Sequence, residues 1–438
     1  MKYQCQTIAI AILFAISILY TARHTNADAQ QPEHKAEENQ IENNTGETPI
    51  PPSWTQSLPD KIITLLQNDI KNNPHPNSYI ALAKILQNRN DYETSRQILL
   101  DAEKNFFNNT DIVNAYSDNL KQDPTFITEP RQIMPKTDVT SIQLLGGGST
   151  LVFKAIKNSE PVAAFKPHQT RHQSNYRSEI AAYRLALLIK ARFNIPYNEH
   201  AYFEYNDFLN LYKRYKSNPA HAETLKDLIT KKQDGKDYLH GTYKEWIPDF
   251  TEFPIELSSN WKPWLKIETD PQILDEPAAD IIPNIKKRHS LGEKLAPRLQ
   301  KHLGELTKKQ LALQLSNLIV FDFLVNNWDR FSGVPRFWGI NCQIKDKKFM
   351  SIDNGASFPK TPNEKPLKHL KDTQRFSRIT LRAIQKLDRD ETLNILLPHP
   401  TPFEVEKFDT FWKQREIFLQ YIDDLVIEYG ADNVLFFD

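Results

Sequence analysis

The sequence predicts an α+β protein in which an antiparallel sheet leads into a mainly helical region, with a short all-helical segment in front. Three observations carry this. Between Thr140 and Lys166, short apolar runs alternate with turn signals: Thr140–Leu145, a glycine turn at Gly146, Gly147, Gly148 and Ser149, then Leu151–Ile156 and Pro161–Lys166. From Lys308 onward long helical patterns dominate, at Lys308–Val325, Leu381–Leu397 and Phe403–Tyr429, the last stopped by Gly430. From Trp54 to about Gln122 apolar residues recur every three or four positions with short polar turns between.

The 438 residues are enough for two or three units with a real core. Lys and Arg together number 55, as do Asp and Glu, so neither nucleic acid nor an anionic membrane surface is expected as the main partner. Lys2, the apolar run Ile8–Tyr20 and Ala27-Asp28-Ala29 before Gln30 read as a secretory signal peptide over residues 1–29. That run is shorter than the roughly 20 apolar residues of a spanning helix. The expected location is therefore the periplasm, the outside or a secretory lumen, with no stable membrane span after cleavage. An uncleaved N-terminal anchor is the alternative.

Residues 30–53, rich in Glu, Gln, Asn, Thr and Pro, read as a flexible linker. Within the helical segment 54–125, Asn77–Asn109 reads as one tetratricopeptide-like unit. Such repeats can hold a protein partner, but a single repeat forms no groove unaided, so packing against the α+β domain of residues 136–438 is expected. Cys5 would leave with the leader, which leaves Cys342 without an internal partner and reads it as a small residue inside a strand.

The candidate chemistry centres on Phe321–Phe358. Asp329 follows an apolar helix and Asp353 follows an apolar strand, and carboxylates placed like this need a cation, a metal or a substrate hydroxyl. A loop acid followed by a second acid in an Asp-Asn-Gly turn suits phosphoryl transfer, one acid addressing the acceptor hydroxyl and the other a metal. Upstream, the glycine turn offers backbone amides to an anion, Lys166 ends an apolar strand, and Glu179 lies in the first turn of the next helix. Each has a plainer explanation: an Asp329–Arg330 pair, a hairpin turn at Asp353-Asn354-Gly355, a solvated strand end, and a favourable charge near a helix N-terminus.

Together, Lys166 in Ala163-Ala164-Phe165-Lys166-Pro167, Glu179 in Ser178–Tyr183, Asn327-Trp328-Asp329-Arg330 and Ile352-Asp353-Asn354-Gly355-Ala356-Ser357-Phe358 resemble the atypical kinases. That group includes the four-jointed-type secretory-pathway kinases, the phosphatidylinositol kinases and the HipA-like kinases. The resemblance implies a bilobal kinase-like fold that binds ATP with Mg2+ or Mn2+. Lys166 would meet the α- and β-phosphates beneath the Gly146–Ser149 cover, and Glu179 would orient it or reach the metal. Asp329 would be the catalytic acid–base residue and Asp353 the metal ligand. The segment Tyr243–Pro248, with Glu245, Trp246 and Ile247, resembles the hinge that meets adenine. The implied reaction moves the γ-phosphate to a hydroxyl of a protein, a sugar or another acceptor.

One departure stands out, because many such kinases carry a second metal-binding Asn a few residues after the catalytic acid and the next Asn here is Asn341. Asn341 folds back from a longer loop, or Glu179 substitutes, or metal binding is impaired. The last alternative is an inactive pseudokinase that acts as a protein-binding scaffold through its helical repeats.

Overall fold

The computed structural model describes residues 58–106, 109, 111–112, 114–115, 118–119, 138–145, 150–169, 175–213, 229–231, 235–331 and 338–438. The expected leader, the linker, the glycine turn Gly146–Ser149 and most of the loop after Phe331 lie outside them. Among the described residues no helix is long and apolar enough to cross a membrane.

The described residues begin with three helices, α1 (Leu58–Asn72), α2 (Pro76–Asn88) and α3 (Tyr92–Asn105). Asp91 caps α3 by accepting from the Thr94 amide at 3.1 Å, while Asn90 takes the left-handed conformation (φ 62°) that turns the chain between α2 and α3. Their shared apolar side does not end on itself. Ala83, Leu99 and Ala115 form one buried cluster with Ile379 of the C-terminal region, so this segment is seated on the rest of the chain.

The first lobe is an antiparallel sheet of β1 (Ser141–Leu145), β2 (Val152–Lys157), β3 (Glu160–Pro167), β4 (Asn198–Glu204), β5 (Ile229–Lys231) and β6 (Asp237–Glu245). The strand order is β1-β2-β3-β6-β4, with β5 beside β6. The helix α4 (Tyr176–Leu188) follows β3, and α5 (Tyr205–Lys213) follows β4. One face of the sheet carries an aromatic core, with Phe165 and Phe203 at 4.8 Å and Phe153 and Phe208 at 5.1 Å between ring centroids, packed edge to face. Alternation along β3 then sends Lys166, next to Phe165, to the opposite face. At Gly241, opposite Pro167, an added Cβ would collide with the backbone of Lys166, so glycine lets β6 run close beside the lysine.

The second lobe is helical. It holds α6 (Ile282–Arg288), α7 (Gly292–Leu303), α8 (Lys308–Leu324), α9 (Glu364–Lys371), α10 (Arg378–Gln385), α11 (Arg389–Leu396), α12 (Pro402–Tyr429) and α13 (Ala431–Val434), with a small sheet of β7 (Thr251–Glu252), β8 (Cys342–Lys345) and β9 (Lys348–Ser351). Its core is separate from the aromatic core of the first lobe, which makes the fold the bilobal α+β arrangement expected, a mainly antiparallel-sheet lobe ahead of a helical one.

The apolar helix expected before Asp329 is present: α8 exposes Lys309 and Gln310 in its first turn and is enclosed from Gln314 to Leu324, where its polar residues are satisfied internally, Ser316 donating to the Arg375 carbonyl at 2.7 Å and Gln314 accepting from the Phe349 amide at 2.8 Å. One expectation needs correction. The stretch Leu381–Leu397 reads as one helix but forms two, because Asp388 caps a new one by accepting from the amides of Asp390 and Glu391 at 3.0 and 2.9 Å. The stop at Gly430 holds, with φ 82°, and α12 starts from a capping box between Thr401 and Glu404. Cys342 lies buried in β8, where burial pushes its thiol pKa up and leaves it inert.

The seat of the N-terminal helices is testable. Leu99→Ala, at a fully buried position of the cluster that includes Ile379, is expected to cost about 3 kcal/mol in urea unfolding. An exposed control, Leu65→Ala on α1, is expected to cost less than about 1 kcal/mol.

Candidate active site

The two lobes meet at a buried ion cluster. The Lys166 ammonium lies 2.9 Å from Glu179 Oε1 and 2.6 Å from Asp353 Oδ1, although Asp353 is 187 residues away in sequence. Lys166 is 1% exposed, so it is no solvated strand end. Glu179 receives more than Lys166: the Lys244 ammonium sits 2.8 Å from the same Oε1, and the Asn354 backbone amide donates to Oε2 at 3.0 Å. Burial alone would push the Glu179 carboxyl up, but the two ammoniums outweigh it and hold it well below the usual carboxylate range. Burial pulls Lys166 down, and Glu179 and Asp353 together hold it above the ordinary lysine value.

Local structure sets each group in place. Asn175 caps α4 by accepting from the amides of Arg177 and Ser178 at 3.0 and 3.4 Å, which puts Glu179 in the first turn on the inner side. The helix is tied to the second lobe, since Arg184 donates to the Ile395 carbonyl at 2.8 Å and Arg177 to the Pro398 carbonyl at 3.0 Å while pairing with Glu404. Asp353 adopts φ 54° and ψ 60° before a 3-10 turn at Asn354–Ala356, so the Asp-Asn-Gly motif is not the hairpin turn of the plainer explanation. A left-handed aspartate costs about 1–2 kcal/mol and turns its carboxylate toward Lys166, leaving 46% of the side chain exposed to the cleft.

Asp329 does not pair with Arg330. That guanidinium is fully buried on Asp322 at 3.1 Å, and it also donates to the Ile352 carbonyl at 2.9 Å and to Asn354 Oδ1 at 2.6 Å. The arginine therefore braces the turn that carries Asp353, and the neighbouring Asp329 is left facing the cleft. Asn341 does fold back, donating from Nδ2 to the Asp329 carbonyl at 3.0 Å and to its Oδ2 at 3.2 Å. Burial and the nearby charge of Asp353 raise the Asp329 pKa, against the opposing pull of Asn341 and Arg330. Phe331, next in the loop, stacks on His369 at 3.7 Å between ring centroids.

The hinge candidates divide. Trp246 and Ile247 line a cavity of about 650 Å3 with Glu160, Pro161, Pro248 and Arg298. Lys154 lies 5.6 Å over the Trp246 ring. Glu245 is not in that lining; its backbone amide donates to the Tyr197 carbonyl at 3.0 Å and its carboxylate accepts from the Tyr197 amide at 3.1 Å, so both groups are engaged by Tyr197. The strand register places Thr242 opposite Lys166 and Glu245 opposite Ala163. Trp246 is thus four residues along β6 from the position facing Lys166, roughly 13 Å at the usual strand rise. Gly146, Gly147, Gly148 and Ser149 lie outside the described residues.

Among the described residues no group of three or more His, Cys, Asp or Glu could hold a metal on its own. A magnesium-type cation needs only one or two carboxylates when phosphates and waters complete its shell. Asp353 and Asp329 fit that need, because Asp353 is half exposed and its charge is felt at Asp329. Glu179 fits it poorly, with both oxygens taken by Lys166, Lys244 and the Asn354 amide.

Sequence reading missed Lys244 and the Asp322–Arg330 pair. Lys244 gave no signal, since only the β3–β6 register shows that it shares a face with Lys166; Asp322 was legible as an acid inside an apolar helix eight residues before an arginine.

No family model matches the sequence, and no curated protein matches it. Among solved structures the chain is similar to the crystal structure of the Golgi casein kinase, at 13% identity and a TM-score of 0.42 over 88% of this chain and 97% of that one. It is also similar to the Golgi casein kinase crystallised with Mn/ADP bound, at 14% identity and a TM-score of 0.41 over the same shares.

The depressed Glu179 pKa has a pH consequence. The stability it contributes is fully present above the ordinary glutamate value of about 4.3 and is lost as pH falls below that toward the folded value. Between pH 5.5 and 3.5 the melting temperature of the wild type is expected to fall more steeply than that of Glu179→Gln, measured by circular dichroism; parallel slopes would contradict it. Asp322→Ala, which strands a buried guanidinium, is expected to cost about 3–5 kcal/mol in the same assay.

Proposed function

We propose that this protein is an ATP-dependent phosphotransferase that moves a γ-phosphate to an alcohol hydroxyl. One observation carries the reading: Lys166 and Glu179 converge in a single cleft with Asp353, 187 residues from Lys166, and Asp329 lies close enough to feel the charge of Asp353. A buried lysine between two carboxylates, with a third acid nearby, is what positioning a polyphosphate and deprotonating an acceptor require.

In this reading Lys166 contacts the α- and β-phosphates and Glu179 holds it. Asp353, with Asp329 and Asn341 within reach, would hold Mg2+ or Mn2+, which when bound neutralises charge on the phosphates. Asp329 accepts the proton of the acceptor hydroxyl, and its raised pKa makes it a better base than a solvated aspartate. Trp246 and Ile247 offer an apolar wall and backbone groups to the adenine, and the Gly146–Ser149 turn covers the phosphates. The return of Asn341 to Asp329 supports an enzyme over an inactive scaffold, because it supplies the amide that the catalytic loop otherwise lacks.

The leader-like segment Lys2–Ala29 supports action outside the cytosol. The acceptor is a hydroxyl on a protein, a sugar or another molecule of that compartment. The N-terminal helices, one side of which is spent on Ile379, keep their outer side for a protein partner.

Nucleotide binding is the direct test. ATP with Mn2+ is expected to raise the melting temperature of the purified protein by several degrees, and Asp353→Ala to abolish the shift. Asp329→Asn is expected to keep the shift while lowering turnover at least about a hundredfold. An unmoved melting temperature in the wild type at millimolar ATP overturns the proposal.

A further inference from the structure

The ion cluster contains one cation more than a lysine–glutamate pair needs. Lys244 lies on β6 opposite Ala164, two residues from Lys166 on the neighbouring strand, so strand alternation puts both side chains on the same face. Its ammonium and that of Lys166 touch the same oxygen of Glu179, at 2.8 and 2.9 Å. Lys166 in addition holds Asp353 at 2.6 Å. The side chain of Lys244 is 14% exposed, and burial lowers its pKa against the pull of Glu179. Taking an ammonium out of water for a carboxylate that already has a lysine is costly, and packing alone gives no reason for it.

We propose that Lys244 is a positioning residue of the nucleotide site, holding Glu179 in place so that Lys166 is released to the phosphates of ATP. This rests on the nucleotide-binding reading above. With Asp353 turned toward a cation, Lys166 retains only Glu179. If Glu179 had no second partner, the remaining lysine and glutamate would neutralise one another, and moving Lys166 toward a phosphate would strand a buried carboxylate. With Lys244 present, Glu179 keeps an ammonium and the Asn354 amide, so Lys166 can turn to an anionic ligand without leaving that buried carboxylate short of a cation. The class of ligand it serves is a nucleoside polyphosphate.

Calorimetric titration of ATP with Mn2+ into the full chain distinguishes the roles. Lys244→Met is expected to weaken binding about tenfold or more, and Lys244→Arg, which keeps the charge, to remain within about threefold of wild type. Because Lys244 acts through Glu179, the double variant Lys244→Met/Glu179→Gln is expected to bind no more weakly than Glu179→Gln alone. The melting temperature without ligand checks that each variant folds, and Lys244→Gln takes the place of Lys244→Met if the latter does not. A wild type that binds with Lys244→Met within about twofold of it, a Lys244→Arg as weak as Lys244→Met, or additive losses in the double variant would each overturn this inference alone. A wild type that binds no ATP overturns it together with the functional reading.

Discussion

The structure depends on keeping one carboxylate, Glu179, ionised where almost no water reaches it. An isolated buried carboxylate is so unfavourable that it would take up a proton, and here three donors prevent that: two ammoniums from neighbouring strands and one amide from the far side of the cleft. Each donor fixes a different part of the molecule. Lys166 and Lys244 set the register of β3 against β6, and the Asn354 amide joins the first lobe to the turn that carries Asp353. The glycine at position 241 is what lets those strands lie close enough for this sharing.

A second buried pair supports the first from below. Asp322, in the enclosed C-terminal half of α8, anchors Arg330, and the arginine spreads its donors over Ile352 and Asn354. Burial pushes the Asp322 carboxyl up to about 6 even with Arg330 against it, so this pair brings rigidity more than net stability. Its effect on the site is one of allocation. With the arginine engaged elsewhere, the Asp329 carboxylate is left to accept from the Asn341 amide.

The hairpin strands β1 to β3, the helical second lobe and the positions of Lys166, Glu179, Asp329 and Asp353 were legible in the sequence, because each is a local signal: an alternating run, a cap, or a charge at the end of an apolar element. What the sequence could not show is pairing across distance. Nothing in Thr242-Tyr243-Lys244-Glu245 marks the lysine as a member of the cleft and the glutamate as bound to Tyr197; the β3–β6 register decides both. The reading of Leu381–Leu397 as one helix failed for a local reason, since the capping strength of Asp388 exceeds the apolar periodicity that runs through it. The apolar reading of α8 held, and internal hydrogen bonds to Gln314 and Ser316 make its polar residues compatible with that enclosure.

The ties of α4 to the opposite lobe bear on control. Arg177 and Arg184 reach carbonyls at Pro398 and Ile395, so the helix that carries Glu179 is clamped at two points along its length. Swinging it outward would break both bonds and the Glu404 ion pair together, with no compensating partner in view. The proposed site would then stand permanently assembled, its rate set by encounter with its ligands and not by a moving helix.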